Sequence, residues 1–295
     1  MPHFMGDFAH VPLATRHSRH KLTSERPTAP QSMQIVQLAL FVLGAYPLAC
    51  AWQAASGTAL VYTVYWGVLA WLGWGVTLIE MPRAHPDPAV FVALCLTGCA
   101  GVAVFGARRP QAMAWNFVVL GLLAVMVLPL IESALIGARS LDGLRLTFLG
   151  ITLAVSVLNY LPTRFGLAAF LVGLACGGEM IAVAAPAPLP RGPETDAIRV
   201  CFLAAPWLAL WRWTPVPTQE LDRTWREFRD RWGVVWGQRV REQFNRAAVN
   251  AGWPVTLAWQ GFIERGEVSA EARRAMHDAL TALLKRFDDR PPVAA

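Results

Sequence analysis

Apolar residues do not spread evenly along this chain. From about Ile35 to Trp211 they form long runs broken by short polar segments, and beyond that point they thin to a stripe. A membrane-spanning helix needs about 20 mostly apolar residues. Six runs meet or approach that length: Ile35 to Trp52, Ala59 to Ile79, Ala89 to Phe105, Ala114 to Ile136, Leu146 to Leu161 and Phe165 to Ala185. The fifth is short, and Arg145 and Arg164 at its ends would snorkel to the interface. A seventh segment, Val200 to Trp211, has twelve uninterrupted residues with Pro206 inside. Runs of about 10–14 residues are more often interfacial or re-entrant than spanning. Starting at Ala197, with Arg199 snorkelling, would stretch it to a thin span, so both possibilities stand.

After residue 213 the pattern changes period. Leu221, Trp225, Phe228, Trp232 and Val235 recur at steps of four and three, which is one face of a helix. Thr218 suits the N-cap, and Glu220 and Asp222 suit the positive end of the helix dipole. Strict heptad phase fails at Arg239, and the stripe moves to Trp236, Val240, Phe244 and Ala247. Asn250-Ala251-Gly252 suits a helix end. Val255, Leu257 and Trp259 alternate like a short strand without an evident partner, so Val255 to Phe262 reads as loop or short helix. A second helix is expected from Ser269 to Phe287, with Ala272, Met276, Leu280, Leu283 and Leu284 on its apolar side.

The fold class is therefore all-α: a polytopic transmembrane helix bundle of six spans plus a marginal seventh segment, followed by a C-terminal amphipathic helical hairpin. Three zones follow: a tail at 1–33, a membrane domain at 34–213 and a soluble helical domain at 214–295. Charge divides the same way. Residues 34–211 carry eight basic and seven acidic residues in 178 positions, whereas 212–295 carry fourteen and eleven in 84. Overall, 55% of the residues are hydrophobic and 16% charged, against about 25% charged in a typical soluble chain. Disordered proteins and small disulfide scaffolds are excluded, and an ordinary soluble enzyme is disfavoured.

Loop charge orients the bundle. With the N-terminus cytoplasmic, nine basic residues lie inside (Arg16, Arg19, Lys21, Arg26, Arg83, Arg139, Arg145, Arg191, Arg199) and three outside (Arg108, Arg109, Arg164). Six spans then leave the C-terminal domain cytoplasmic too. A spanning seventh segment would put it outside and narrow the bias to nine against eight. The five cysteines all lie in apolar runs, which fits a chain that does not depend on disulfides.

Several residues invite a sharper reading beside a plain one. His3, His10, His17 and His20 have no acid or cysteine pattern to join, and read as a solvated tail rather than a metal site. Cys95 and Cys99 share a helix face but lack further ligands, so they read as packing residues. Thirteen tryptophans, eight of them in or beside the apolar runs, read as interfacial anchors. Gly173 and Gly177 form a G-x-x-x-G pair suited to close helix packing within the bundle. The segment Met81 to Pro88 gathers Arg83, His85 and Asp87, but its three prolines describe a stiff turn.

Glu132 and Glu179 are different, because ionisable groups inside a bilayer are costly and suggest function. Each precedes the end of its apolar run by roughly seven residues, about 10 Å at a 1.5 Å rise, and the two runs point the same way. A shared acidic site would raise one carboxyl's pKa and allow it to bind a proton, a cation or a basic substrate. The plain alternative is that each snorkels or pairs with Arg139, Arg145 or Arg191.

No nucleophile elbow, phosphate loop, H-E-x-x-H or paired C-x-x-C is present, so no catalytic residue, metal or cofactor is assigned. Beyond packing on one another, the C-terminal helices could lie on anionic lipid or dock a protein partner, with Leu221, Trp225, Phe228 and Trp232 as the contact stripe. Arginines alternating with acids argue against nucleic acid. The expected function is a non-enzymatic membrane protein whose C-terminal domain docks a partner or the membrane surface. The competing class is a small transporter or intramembrane enzyme using Glu132 and Glu179.

Overall fold

A computed structural model of the chain describes residues 29–79, 87–108, 110–136, 143–185, 193–211 and 219–287. The histidine-bearing tail, the Arg83–His85 turn, Arg139, Arg191 and Thr218 lie outside the described residues. The protein is mostly helical with little sheet.

The first apolar run is two helices, α1 (Ala29–Leu43) and α2 (Ala45–Ala55), broken at Gly44. Pro47 has no N–H to offer the Leu43 carbonyl, which accounts for a break there. Then come α3 (Val61–Val76), α4 (Pro88–Ala103) with a 3-10 turn through Gly106, α5 (Ala112–Ile136), α6 (Gly143–Leu158), α7 (Gly166–Ala184) and α8 (Pro193–Leu210). The Asp87 side chain caps α4 by accepting from the Ala89 N–H at 3.0 Å. Helices α5 and α8 continue through Pro129 and Pro206.

Four stretches are long and apolar enough to cross a membrane: Ser32–Ala55, Pro88–Gly106, Ala112–Glu132 and Gly166–Ala184. The other two expected spans are shorter helices, α3 and α6, of 16 residues each. Helix α3 starts late because Thr58 turns the chain, its hydroxyl donating to the Ala55 carbonyl at 2.8 Å.

Helix α4 is the centre of the bundle and packs against α3, α5, α6 and α7. Its Phe91, Ala93, Leu94, Cys95 and Cys99 are all buried, so the Cys95–Cys99 face is core. Around it, apolar side chains point outward. Of the large apolar residues exposed among the described residues, all but Val235, Val249 and Ile263 lie between Ile35 and Trp211. An apolar exterior on an apolar core suits lipid as solvent. The tryptophan expectation needs correcting. Trp66, Trp71 and Trp74 are core residues, while Trp52 and Trp211 are exposed. An indole suits either place when its N–H finds a partner. Trp66 donates to Asn116 Oδ1 at 2.6 Å and Trp74 to Thr97 Oγ1 at 3.0 Å.

Beyond the bundle, α9 (Glu220–Asn250) leads to a β-hairpin and α10 (Ala270–Leu284). The segment expected as loop or short helix is β1 (Val255–Leu257), paired antiparallel with β2 (Phe262–Glu264) in the register Val255 to Glu264 and Leu257 to Phe262. The strand's partner lies within its own segment, reached through a turn with Gly261 at φ 148°. A β-hairpin therefore separates the two expected helices. Ser269 caps α10, its hydroxyl accepting from the Ala272 N–H. Helix α9 breaks at Gly233 (φ 76°, ψ −165°), six residues before the phase change visible in the sequence.

Candidate functional site

Two polar assemblies stand out, one inside the bundle and one where the C-terminal unit meets it. The first is built on α8. Arg199 Nε donates to Glu179 Oε1 at 3.0 Å, and both side chains are nearly enclosed, at 13% and 6% exposure. A second guanidinium nitrogen donates to the Thr77 carbonyl at 3.4 Å. Thr77 closes α3, where carbonyls lack helical partners and the dipole favours a cation. One arginine therefore ties α3, α7 and α8 together. Asp196, one turn earlier, accepts from the buried Gln37 of α1 on its backbone oxygen at 3.2 Å and on Oδ1 at 3.1 Å. One turn later, Phe202 stacks on Trp74 with centroids 4.4 Å apart. The segment read as a marginal seventh element is thus a core helix, with Phe202, Leu203 and Ala205 buried.

Glu132 has a different partner. Its Oε2 accepts from Arg145 at 2.8 Å, in a pair more than a third exposed that links α5 to α6. The two glutamates are not brought into one site. Each is neutralised by its own arginine, and α4 and α6 each pack on α7 while α5 packs on α4. The sequence offered Arg199 only as a snorkelling residue and not as the partner of Glu179, because helix rotation and helix order are not written in hydropathy.

The glycine pair also divides. Gly173 faces Val157 of α6, whereas Gly177 has no neighbour within 4 Å of a Cβ position among the described residues. Close approach to α8 occurs instead at Gly178, beside Ile198.

The second assembly joins the C-terminal unit to three turns of the bundle: residues 56–60, 104–108 and 158–165. Trp232 Nε1 donates to the Ala107 carbonyl at 3.1 Å, and Trp236 Nε1 to the Val104 carbonyl at 3.0 Å. The Ala59 N–H donates to the Phe287 carbonyl at 3.2 Å. The turn after α6 enters the break in α9. The Val234 N–H donates to the Asn159 carbonyl at 2.8 Å and the Val235 N–H to Asn159 Oδ1 at 3.0 Å. The Tyr160 hydroxyl donates to the Arg231 carbonyl at 3.1 Å, and Trp259 Nε1 to the Pro162 carbonyl at 2.9 Å. Buried Asp230 is paired with Arg229 at 2.7 Å and also accepts from the Arg164 N–H at 3.3 Å.

These bonds place the expected docking stripe. Trp225, Phe228 and Trp232 are buried, in one core with Phe287, Met276, Leu280 and the bundle residues Ala55, Ala59, Val104 and Ala107. Leu221 is partly buried at its edge. The chain itself occupies the stripe. Asn159 and Gly233, the hinge of this seam, had no distinguishing sequence signal beyond a polar residue near the end of a span and a glycine within a helix.

Among the described residues, no three His, Cys, Asp or Glu side chains gather closely enough to hold a metal ion. The chain matches no protein-family model, and neither curated proteins nor solved structures contain a match to it.

Proposed function

We propose that this chain is a seven-pass integral membrane protein whose C-terminal unit is a fixed cap, presented to a partner on the membrane face opposite the N-terminal tail. The seat of the cap carries this reading. Residues 56–60, 104–108 and 158–165 follow the first, third and fifth passes, and so lie on the face away from the start of α1. The chain reaches that face after α7 only if α8 crosses as well. The bonds from Trp232 to Ala107 and from Asn159 to Val234 support that crossing, as does the burial of α8 against α7, α1 and α2.

Short-loop charge supports the orientation. Arg199 drops out of the loop count because it is buried in the bundle, leaving eight basic residues on the tail side against Arg108, Arg109 and Arg164. Long domains cross largely regardless of their charge, so the arginines of the cap do not oppose it. The tail is then cytoplasmic and the cap lies on the other side. Separate pairing of Glu132 and Glu179 favours a supporting role for both over shared chemistry.

Reporter fusions at each terminus test the topology. Activity on opposite sides of the membrane is expected, and activity on the same side would overturn it. Partner capture by the full chain, compared with a chain lacking residues 218–295, tests the role of the cap. An unchanged partner set would sink that role.

A further inference from the structure

At the seam between cap and bundle, half-buried Arg108 and exposed Arg239 have no carboxylate partner among the described residues. Arg108 follows the end of α4, and its guanidinium carbon lies 5.9 Å from the centroid of the Trp236 ring. The guanidinium carbon of Arg239, on α9, lies 5.8 Å from the same centroid. The two charges therefore stand no farther apart than the sum of those distances. Arg108 Nε is buried with no acceptor among the described residues. Among the described residues neither guanidinium has a carboxylate partner, although Arg145, Arg199, Arg229, Arg231 and Arg273 all do. A buried donor without an acceptor is costly, and two neighbouring cations repel. The ring face offsets part of this, but it supplies no hydrogen-bond acceptor.

Depth identifies what does. Trp236 is held to the Val104 carbonyl, at the end of a membrane-crossing stretch. On the membrane reading, that places Arg108 and Arg239 at the level of the headgroup phosphates. Below that level α5 begins, with Ala112 packed against the cap core. From the next residue on, Met113, Phe117 and Leu120 are exposed at the helical spacing of a single face. Cations above an apolar wall match an anionic phospholipid, with its phosphate on the guanidiniums and an acyl chain along α5.

We infer that Arg108 and Arg239, gathered on Trp236, form a binding site for the phosphate of an anionic phospholipid at the seam of cap and bundle. The site rests on the membrane reading but not on which side the cap faces. It gives the cap a lipid-dependent seat: the phosphate bridges a residue of the bundle to a residue of α9.

The test uses the full-length protein in nanodiscs made from phosphatidylglycerol and phosphatidylcholine, with retained lipid measured by mass spectrometry after detergent extraction. Wild type should retain phosphatidylglycerol preferentially, by roughly fivefold per arginine. The double variant Arg108→Gln with Arg239→Gln should lose that preference. A charge-matched control, Arg246→Gln with Arg274→Gln, changes two exposed arginines that do not lie over the Trp236 ring and should keep it. All three proteins must incorporate into nanodiscs and elute alike, which separates misfolding from loss of the site. Failure of wild type to incorporate would sink the membrane reading itself. Incorporation with no preference, or equal loss in the control, would overturn the site. Binding of inorganic phosphate through the same arginines, with no lipid preference, would overturn the assignment to lipid.

Discussion

The carboxamide of Asn159 fills the space that a side chain on Gly233 would need. A Cβ at Gly233 would overlap that carboxamide and crowd the Asn159 carbonyl as well. The backbone at Gly233, with φ 76° and ψ −165°, also lies in a region essentially reserved for glycine. Gly233→Ala therefore strains the chain and pushes out the turn that enters α9. The backbone term alone costs about 1–3 kcal/mol. Thermal unfolding in detergent should shift down, and limited proteolysis should release the cap more readily. An unchanged melting temperature with an intact protease pattern would contradict the interlock.

Arg199 and Glu179 give a second prediction. Removing one partner leaves a charge in an apolar bundle, at a cost of about 3–5 kcal/mol. Glu179→Ala and Arg199→Ala should each be strongly destabilising. Replacing both with apolar residues of similar volume, Glu179→Leu with Arg199→Met, should recover much of the loss, since the desolvation cost of the pair disappears along with its attraction. A double variant as unstable as the worse single would show that Arg199 acts mainly through the Thr77 carbonyl rather than through Glu179.

Comparison of these two sites shows how far the sequence is legible. The burial of Glu179 could be read from its place in an apolar run, because hydropathy reports depth. Its partner could not, because Arg199 lies twenty positions on, in the next helix, and which faces of the two helices meet depends on packing against α1, α4 and α6. The register of α9 shows the same limit. A break at Gly233 rotates everything after it, yet the apolar stripe reveals the rotation only when enough later residues have accumulated, near Arg239. The strand at Val255 was visible as alternation, but its pairing with Phe262–Glu264 depended on the turn at Gly261. The tryptophans misled because an indole suits both an interface and a core with an acceptor at hand; Asn116 and Thr97 supply those acceptors.

Glu132 and Arg145 should behave differently from the buried pair. Both side chains are more than a third exposed, so water or headgroups screen them. Glu132→Gln should shift stability by no more than about 1 kcal/mol. A double-mutant cycle with Arg145→Gln should return a coupling within the same bound. Coupling as large as that of Glu179 with Arg199 would show that this pair too is sealed from solvent, and would reopen Glu132 as a site.

Tyr160 supplies a pH-dependent prediction at the seam. Its phenol is pushed above the ordinary value by burial between the bundle and the cap, and its hydroxyl donates to the Arg231 carbonyl. The folded protein therefore favours the neutral phenol. The linked stability is fully present below the unfolded pKa of about 10 and is lost as pH rises beyond it, because the unfolded chain releases the proton first. Tyr160→Phe removes both the hydrogen bond and the titration. At neutral pH it should cost about 0.5–1.5 kcal/mol. In alkali the difference from wild type should shrink, and it should reverse if the phenol's shift outweighs the bond. Melting curves of the two proteins from pH 8 to 11 read this directly. Parallel losses across that range would show that the Tyr160 phenol titrates no differently in the folded protein.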